Sequence, residues 1–285
     1  MPKSEKIKVQ VYESDLRMTP VIPYLKDTLL HIRFAYEKSK LDIVGANKNT
    51  WFGRLWNILN PLLLSIVYWF LVVVLFGGGK SMFDEEGLKV LTHMVAGLFL
   101  YSLPGGAIAS GSLSIIQGGQ FILNTRIPRI ILPISALITS ILVFPPSMLV
   151  YMGFHALGGY SFTPYMLWGF PIILIISLNA LGLTLMAATG TVYFRDIASF
   201  LPYVIRIWLY LTPIIYLYDQ YPPGMEWALY INPLGTLFAS WQQILFKGTH
   251  PDLSFMLAGL GWTTFSLIVG VRLFLRKERE FAVRI

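Results

Sequence analysis

The sequence predicts an all-α integral membrane protein with six transmembrane helices, an N-terminal amphipathic interface helix and a short re-entrant helix pair before the last span. Its residues are 55% hydrophobic and only 13% charged, whereas a soluble domain carries about 25% charged residues. Several uncharged apolar runs are close to the about 20 residues that cross a hydrocarbon core as a helix. Lysine and arginine are concentrated on one side of those runs, as expected for loops that stay in the cytosol.

The six predicted spans are the apolar runs of near membrane-crossing length. They cover residues 57–76, 90–109, 130–153, 166–190, 199–216 and 254–275. Segment 217–253 holds two weaker apolar pieces that are each too short to cross, separated by prolines. We therefore expect a re-entrant or interfacial pair of short helices there rather than a seventh span.

The N-terminal region changes character at Ile22. Residues 1–21 are mixed in charge and are predicted to form a cytosolic tail, whereas residues 22–55 contain one apolar stripe on a charged helix. The stripe consists of Ile22, Leu25, Leu29, Ile32 and Tyr36. This pattern favours a helix that lies in the membrane interface; the alternative is an ordinary amphipathic helix packed on protein. No apolar signal-peptide core precedes it, so we expect the N-terminus to stay in the cytosol.

The distribution of basic residues predicts the orientation. Eighteen of the 22 lysines and arginines lie in the N-terminal region, the connections after the second and fourth spans, and the C-terminal end from Arg272 onward. The opposite side carries three: Lys80, Lys89 and Lys247. Because basic loops stay inside, the sequence predicts a six-span domain over residues 56–275 with both termini, including the tail 276–285, in the cytosol.

No catalytic, metal or nucleotide site is predicted in this chain. It has no cysteine, its four histidines lack metal-ligand spacing, and its spans nearly lack carboxylates, which argues against a membrane enzyme or a proton-coupled transporter. Residues 77–81 look like the end of a phosphate-binding loop, but Val74 stands where the full pattern requires glycine. We therefore predict no metal or cofactor in the chain, and any use of ATP must come from a partner. The net charge of +7 is explained by membrane orientation and does not predict nucleic-acid binding.

One charge at membrane depth needs an explanation. Arg206 lies inside the fifth span, where it either extends its side chain to the cytosolic interface or faces a path for an anionic substrate such as a pyrophosphate. Aromatic residues cluster around it, and Tyr203, Tyr210 and Tyr216 are candidates to line the same path. The alternative for these rings is the aromatic belt at the membrane interface.

A series of short motifs runs along the chain. The motifs are Tyr36-Glu37-Lys38-Ser39, Phe52-Gly53-Arg54-Leu55-Trp56 with Pro61, Phe121-Ile122-Leu123-Asn124 with Ile127-Pro128-Arg129, Tyr193-Phe194-Arg195-Asp196-Ile197, Pro213-Ile214-Ile215-Tyr216 and Asn232-Pro233-Leu234. Their order over residues 22–275 resembles that in the permeases of type-2 ABC exporters, the membrane subunits that export lipid-linked polysaccharides. The chain departs from the pattern at Lys40–Trp51, an insertion before the second motif, and at Phe52, where leucine is usual.

The resemblance implies partners, a substrate and site residues. It implies a homodimer of this chain with two copies of a cytosolic ATPase that binds ATP and Mg²⁺, in the bacterial cytoplasmic membrane. A coupling helix at about 117–126 would dock on that ATPase through Gln117, Gln120, Phe121, Ile122, Leu123, Asn124 and Arg126. The cations expected to meet a lipid pyrophosphate at the entrance are Arg33, Lys38, Lys40, Lys48 and Arg54. The family-motif positions are Trp56, Pro61, Arg195, Asp196, Asn232 and Pro233.

The expected substrate is a polyprenyl-pyrophosphate-linked polysaccharide such as O-antigen or galactan. The interface helix and the many aromatic residues favour a glycan. The alternatives are a permease for drugs or small lipids and a membrane glycosyltransferase. The second of these would need acidic catalytic or metal-binding residues near the interface, which the sequence does not offer.

Overall fold

Every regular element in the described part of the chain is helical. The computed structural model describes residues 21–46, 48, 50–71, 85–119 and 127–285. Its α-helices are α1 (Val21–Leu30), α2 (Ile32–Ala46), α3 (Trp56–Phe70), α4 (Glu85–Gln117), α5 (Ile131–Leu157), α6 (Gly169–Tyr193), α7 (Asp196–Leu211), α8 (Trp227–Ile231), α9 (Gly235–Gln242) and α10 (Leu253–Arg284). Short 3₁₀ turns cover Gly53–Leu55, Pro164–Trp168 and Tyr218–Gln220, and a π-helical turn covers Gln243–Lys247. The predicted tail 1–21 lies outside the described residues except for its last position.

The core of the bundle is organised around α4. This helix packs against α3, α5, α6 and α7, and 78% of its most apolar stretch is buried, compared with 33% in α5 and in α10. Its glycines allow the neighbours to approach closely: Gly97 faces the backbone of Ile214, and Gly111 faces the side chain of Thr184. Small residues at helix contacts are typical of membrane bundles, where van der Waals packing drives association.

Among the residues that the structure describes, four helical units are long and apolar enough to cross a membrane. They are α4, α5, the unit Pro164–Tyr193 that joins a 3₁₀ turn to α6, and α10. They correspond to the predicted spans 90–109, 130–153, 166–190 and 254–275. The all-helical fold and four apolar spans of the prediction are thus confirmed in the described part of the chain.

The first and fifth predicted spans have shorter helices. α3 has 15 residues, and the end of that span at 72–76 lies outside the described residues, together with the glycine-rich turn at 77–81. α7 has 16 residues, which corresponds to about 24 Å of helix. It ends at Leu211 and not at residue 216, because Thr212 has an extended backbone before Pro213. The count of six spans therefore stays a prediction.

Two short helices occupy the segment predicted as re-entrant. α8 and α9 lie where the two weaker apolar pieces were recognised, and α9 continues into the π-helical turn. Both pack together, and α9 also packs on α6 and α10. Their depth in a membrane stays a prediction.

Contacts between distant segments show which described segments lie at each end of the bundle. At one end, Tyr24 of α1 donates a 2.6 Å hydrogen bond to Glu278 near the C-terminus, and the Ser39 hydroxyl of α2 donates to the Ser135 carbonyl of α5 at 2.7 Å. At the other end, Lys247 pairs with Asp219 at 2.9 Å. The described basic segments that were predicted to be cytosolic therefore share one end of the bundle.

Candidate functional site

α7 has one packed face and one exposed face. Its packed face contacts α4, where the Tyr101 hydroxyl donates to the Ile205 carbonyl at 2.5 Å. Tyr203, Arg206 and Tyr210 lie on the exposed side, at the spacings of three and four that place residues on one helix face. The structure thus brings together three of the four residues predicted to line a substrate path.

α3 lies beside α7 at the level of Tyr210. The hydroxyl groups of Tyr68 and Tyr210 are 2.8 Å apart, and their rings meet edge to face with centroids 6.0 Å apart. The outward side of α3 exposes Leu63, Ile66, Val67 and Phe70. We call these four residues, with Phe200, Tyr203, Arg206, Ile207 and Tyr210 of α7, the α3/α7 face. All nine side chains are exposed in the described part of the chain.

Tyr216, the fourth predicted path residue, lies apart from this face. It follows the end of α7, and its hydroxyl lies 2.7 Å from that of Tyr221 and donates to the Leu211 carbonyl at 3.2 Å. The side chain is only partly exposed. Tyr216 therefore belongs to the turn that closes α7.

Asn232 of the Asn-Pro motif holds the end of α7. Its side-chain carbonyl accepts hydrogen bonds from the Trp208 indole at 2.7 Å and from the Leu234 amide at 3.0 Å. Its amide group donates to the Leu211 carbonyl at 3.1 Å and to the Thr212 hydroxyl at 3.0 Å. Because a terminal helix carbonyl lacks a partner within the helix, the Asn232 amide and the Tyr216 hydroxyl together satisfy the Leu211 carbonyl.

Gln242 forms a second polar contact at the same end. Its carbonyl accepts from the Tyr218 amide at 2.8 Å, and its amide group donates to the Pro213 carbonyl at 2.7 Å. The same amide lies 3.0 Å from His93 Nε2 on α4. Sequence reasoning missed Gln242; the only signal was an amide inside an otherwise apolar stretch.

The predicted apolar stripe of the interface helix is uncovered. Its residues are exposed by 70% (Ile22), 40% (Leu25), 66% (Leu29), 40% (Ile32) and 41% (Tyr36). The contact with α5 uses a different face, where Ala35 and Ser39 are fully buried. The predicted single helix is therefore two helices, of which α2 packs on α5 through small residues. Both present the apolar stripe outward, as membrane-interface helices would.

The cations predicted at the lipid entrance fall into two groups. Lys38 pairs with Asp42 at 2.6 Å, and Lys40 pairs with Glu37 at 3.3 Å. Arg33, Lys48 and Arg54 are exposed and form no ion pair with any described residue; they are the cations that the described chain leaves available for an anionic ligand.

The remaining motif residues lie within or next to a helix, where some of them make local contacts. Trp56 meets Phe52 edge to face at 5.5 Å, and the Pro61 carbonyl accepts from the Ser65 hydroxyl at 2.7 Å. Arg195 precedes α7, and Asp196 lies in the first turn of that helix. A negative charge there interacts favourably with the helix dipole. The proline of the Asn232-Pro233 pair follows the end of α8.

Most of the predicted coupling residues lie outside the described chain. Gln117 ends α4 and is exposed. The others are Gln120, Phe121, Ile122, Leu123, Asn124 and Arg126, and their interpretation stays a prediction. In the parts of the chain that the structure describes, no group of three His, Asp or Glu side chains could hold a metal ion.

The chain matches one protein family and is similar to several known proteins along most of its length. Residues 42–246 match the family described as ABC-2 type transporter. The chain is 28% identical over 270 residues to an O-antigen export system permease protein RfbA of Klebsiella pneumoniae, covering 94% of this chain and 98% of that protein. A second RfbA of Klebsiella pneumoniae is 26% identical over 272 residues with the same coverage. An RfbA of Myxococcus xanthus is 26% identical over 246 residues, covering 82% of this chain and 88% of that protein.

Proposed function

We propose that this chain, which belongs to the ABC-2 type transporter family, is the permease subunit of an ATP-driven exporter of a polyprenyl-pyrophosphate-linked polysaccharide. The observation that carries the proposal is the similarity to O-antigen export permeases along 94% of this chain and 98% of the relative. This match leaves only a small part of either chain uncovered. The proposed direction is from the cytosolic to the outer side of the bacterial cytoplasmic membrane.

The proposed energy source is a separate cytosolic ABC ATPase, present in two copies and carrying ATP and Mg²⁺. The sequence offers no complete phosphate-binding loop, because Val74 occupies the position of a required glycine. Segment 117–126, which follows α4 on the end shared with the basic segments, is the proposed docking site for that ATPase.

The proposed translocation path runs along the α3/α7 face, between two copies of this chain. A large uncovered apolar face with one arginine is unusual for a helix that meets lipid alone, because a charge at membrane depth is costly without a partner. Arg206 would bind a phosphate group of the passing lipid carrier with its planar set of donors. Tyr203 and Tyr210 would offer both an apolar face and a hydroxyl to sugar rings.

The proposed entrance lies at α1 and α2. Their exposed apolar stripe would place the pair at the headgroup level. Arg33, Lys48 and Arg54 would then meet a pyrophosphate at the surface, where each basic residue contributes about 1 kcal/mol of attraction to anionic lipid.

The decisive experiment is purification of the tagged chain from its native host in mild detergent. We expect a stoichiometric companion that carries a phosphate-binding loop, and loss of surface polysaccharide with intracellular accumulation of its lipid-linked form when this chain is deleted. Normal surface polysaccharide in the deletion strain, with drug sensitivity or an altered lipid composition, would instead assign a drug or small-lipid permease. Recovery of the chain without any ATPase in several detergents would contradict the exporter proposal.

A further inference from the structure

A buried carboxylate joins three distant segments at the end of the bundle predicted to be cytosolic. Glu278 is 8% exposed, and its Oε1 accepts hydrogen bonds from the Tyr24 hydroxyl at 2.6 Å and from the Arg129 amide at 3.0 Å. The Arg129 guanidinium donates in turn to the backbone carbonyl of Glu278. We call Tyr24, Arg129 and Glu278 the Glu278 cluster; it connects α1, the short segment that precedes α5, and α10.

The Tyr24 hydroxyl stays protonated in this cluster and therefore acts as a hydrogen-bond donor. Burial, with the Glu278 carboxylate beside it, raises the pKa of Tyr24 above its usual range. Its hydroxyl oxygen also accepts from the Ile130 amide at 3.4 Å. A buried carboxylate is costly unless it is hydrogen-bonded, so the three residues stabilise one another's positions.

The last residues of the chain contact both flanks of the predicted coupling segment. At the beginning of that segment, a Cβ on the buried Gly119 would lie 2.7 Å from Ile285 Cγ2, so the terminal side chain lies directly against this glycine. At its end, Arg129 is bound by Glu278. A separate hydrophobic cluster supports both contacts, since Ile115, Leu132 and Phe281 pack within it.

We propose that Tyr24 and Glu278 are positioning residues for energy coupling. They would fix both flanks of segment 117–126 to the end of α10 and link them to the interface helix, so that a displacement imposed by the ATPase reaches α1 at the lipid entrance. Neither residue touches substrate in this account. The inference rests on the proposed function, because it presupposes an ATPase partner at segment 117–126.

The test uses the complex of this chain with the ATPase that co-purifies with it. Glu278→Gln keeps the size of the side chain and removes its charge, and Tyr24→Phe removes a single hydroxyl. Two rates are measured for each variant: export of native polysaccharide in cells, and ATP hydrolysis by the purified complex in lipid nanodiscs. The first rate divided by the second gives the export per ATP hydrolysed. We expect each variant to assemble normally and to lower export per ATP hydrolysed by about fivefold, the lower range of measured coupling effects between sites. The double variant should be no worse than either single variant, since both remove the same link.

Glu280→Gln is the matched control. Glu280 lies two residues further on the same helix and binds Tyr193, Lys277 and Arg284 instead, so it should leave the ratio unchanged. A spin label on α1 reports directly whether the displacement imposed by the ATPase reaches this helix. The label is attached to the variant Leu30→Cys, because Leu30 is exposed and the chain has no natural cysteine. We expect its mobility to change on vanadate trapping in the parent complex, and this change to be lost in both variants.

The outcomes separate the two proposals. If the parent complex exports polysaccharide and both variants keep its export per ATP and its label response, the Glu278 cluster is not a coupling element. If the variants only reduce the amount of complex, with an unchanged ratio, the cluster is purely structural and the inference is overturned. If the parent has no ATPase partner, the proposed function itself fails.

Discussion

The Trp208 indole donates a 2.7 Å hydrogen bond to the side-chain carbonyl of Asn232, which lies 24 residues later in the chain. The same Asn232 binds the last carbonyl of α7 at Leu211. A residue from the segment between α7 and α10 therefore binds both the side chain of Trp208 and the last turn of α7. Because α7 contributes most of the α3/α7 face, this contact connects the Asn-Pro motif with the proposed path.

Replacing Asn232 with alanine should destabilise the protein. The change leaves the Trp208 indole N–H without its partner, and an unsatisfied buried polar group costs about 1–3 kcal/mol. We expect a lower melting temperature of the detergent-solubilised chain, measured by intrinsic tryptophan fluorescence. Asn60→Ala, which removes an exposed amide on α3, is the control; equal melting temperatures for the two variants would contradict the assigned role.

The contact between α6 and α10 should not tolerate a side chain at Gly270. The backbone carbonyl of Gly182 occupies the place that a Cβ at residue 270 would take, and the backbone of Ser266 similarly blocks residue 182. Gly270→Ala must push the helices apart, and overpacking of this kind costs about 1–3 kcal/mol. Gly261→Ala, at an open position of the same helix, should have no such effect. The same thermal unfolding measurement compares the two, and an unchanged melting temperature for Gly270→Ala would show that the helices do not approach this closely.

The long helices of the fold could be predicted because hydropathy reports them directly. α4, α5, α6 and α10 each contain an uncharged run long enough to cross a membrane, which is a local property of the sequence. The end of α7 was predicted five residues too late. Its apolar composition continues to residue 216, whereas the helix stops where Asn232 supplies a hydrogen-bond partner from another segment.

The site was predictable only where residue type and helical spacing were informative together. Tyr203, Arg206 and Tyr210 were recognised from an arginine among aromatic residues, and they share one face of α7. Gln242 and Glu278 were missed because their partners lie far away in sequence: Gln242 meets His93 across 149 residues, and Glu278 meets Tyr24 across 254 residues. A single sequence gives no signal for such contacts.

The cations of the interface helices should differ in their effect on lipid binding. Arg33 has no acidic partner among the described residues, whereas Lys38 is already paired with Asp42 at 2.6 Å. Arg33→Gln should weaken binding of a fluorescent polyprenyl pyrophosphate to the chain in nanodiscs by about fivefold, the equivalent of about 1 kcal/mol per basic residue. Lys38→Gln, the matched control, should have a smaller effect. Raising the salt concentration should reduce the difference between the two variants, and equal affinities at low salt would contradict this assignment.

The predicted orientation can be tested by labelling introduced cysteines. The chain has no natural cysteine, so Thr249→Cys and Val283→Cys, both at exposed positions, give single reactive thiols at opposite ends of the bundle. A membrane-impermeant maleimide should label Thr249→Cys in intact spheroplasts and Val283→Cys only after lysis, because basic segments stay in the cytosol. The reverse pattern would invert the topology, and labelling of both sites in intact cells would contradict the span assignment.

Substitutions of Arg206 can show whether its side chain lies on the substrate path or extends to the membrane interface. If its guanidinium binds a phosphate of the passing substrate, Arg206→Gln should lower the export rate by about tenfold, the equivalent of one charge-assisted hydrogen bond of about 1.5 kcal/mol. Arg206→Lys should restore only part of the rate, since lysine keeps the charge but lacks the planar pair of donors.

The control for this comparison is Arg272→Gln, which removes an exposed arginine from α10, away from the α3/α7 face. Export is measured as newly labelled surface polysaccharide per permease, so that a loss of protein in the membrane is corrected for. Full activity of Arg206→Lys would assign Arg206 to the membrane interface, because an interfacial cation needs only its charge and its length. A partial rate, with Arg272→Gln unaffected, would place the guanidinium in contact with the substrate.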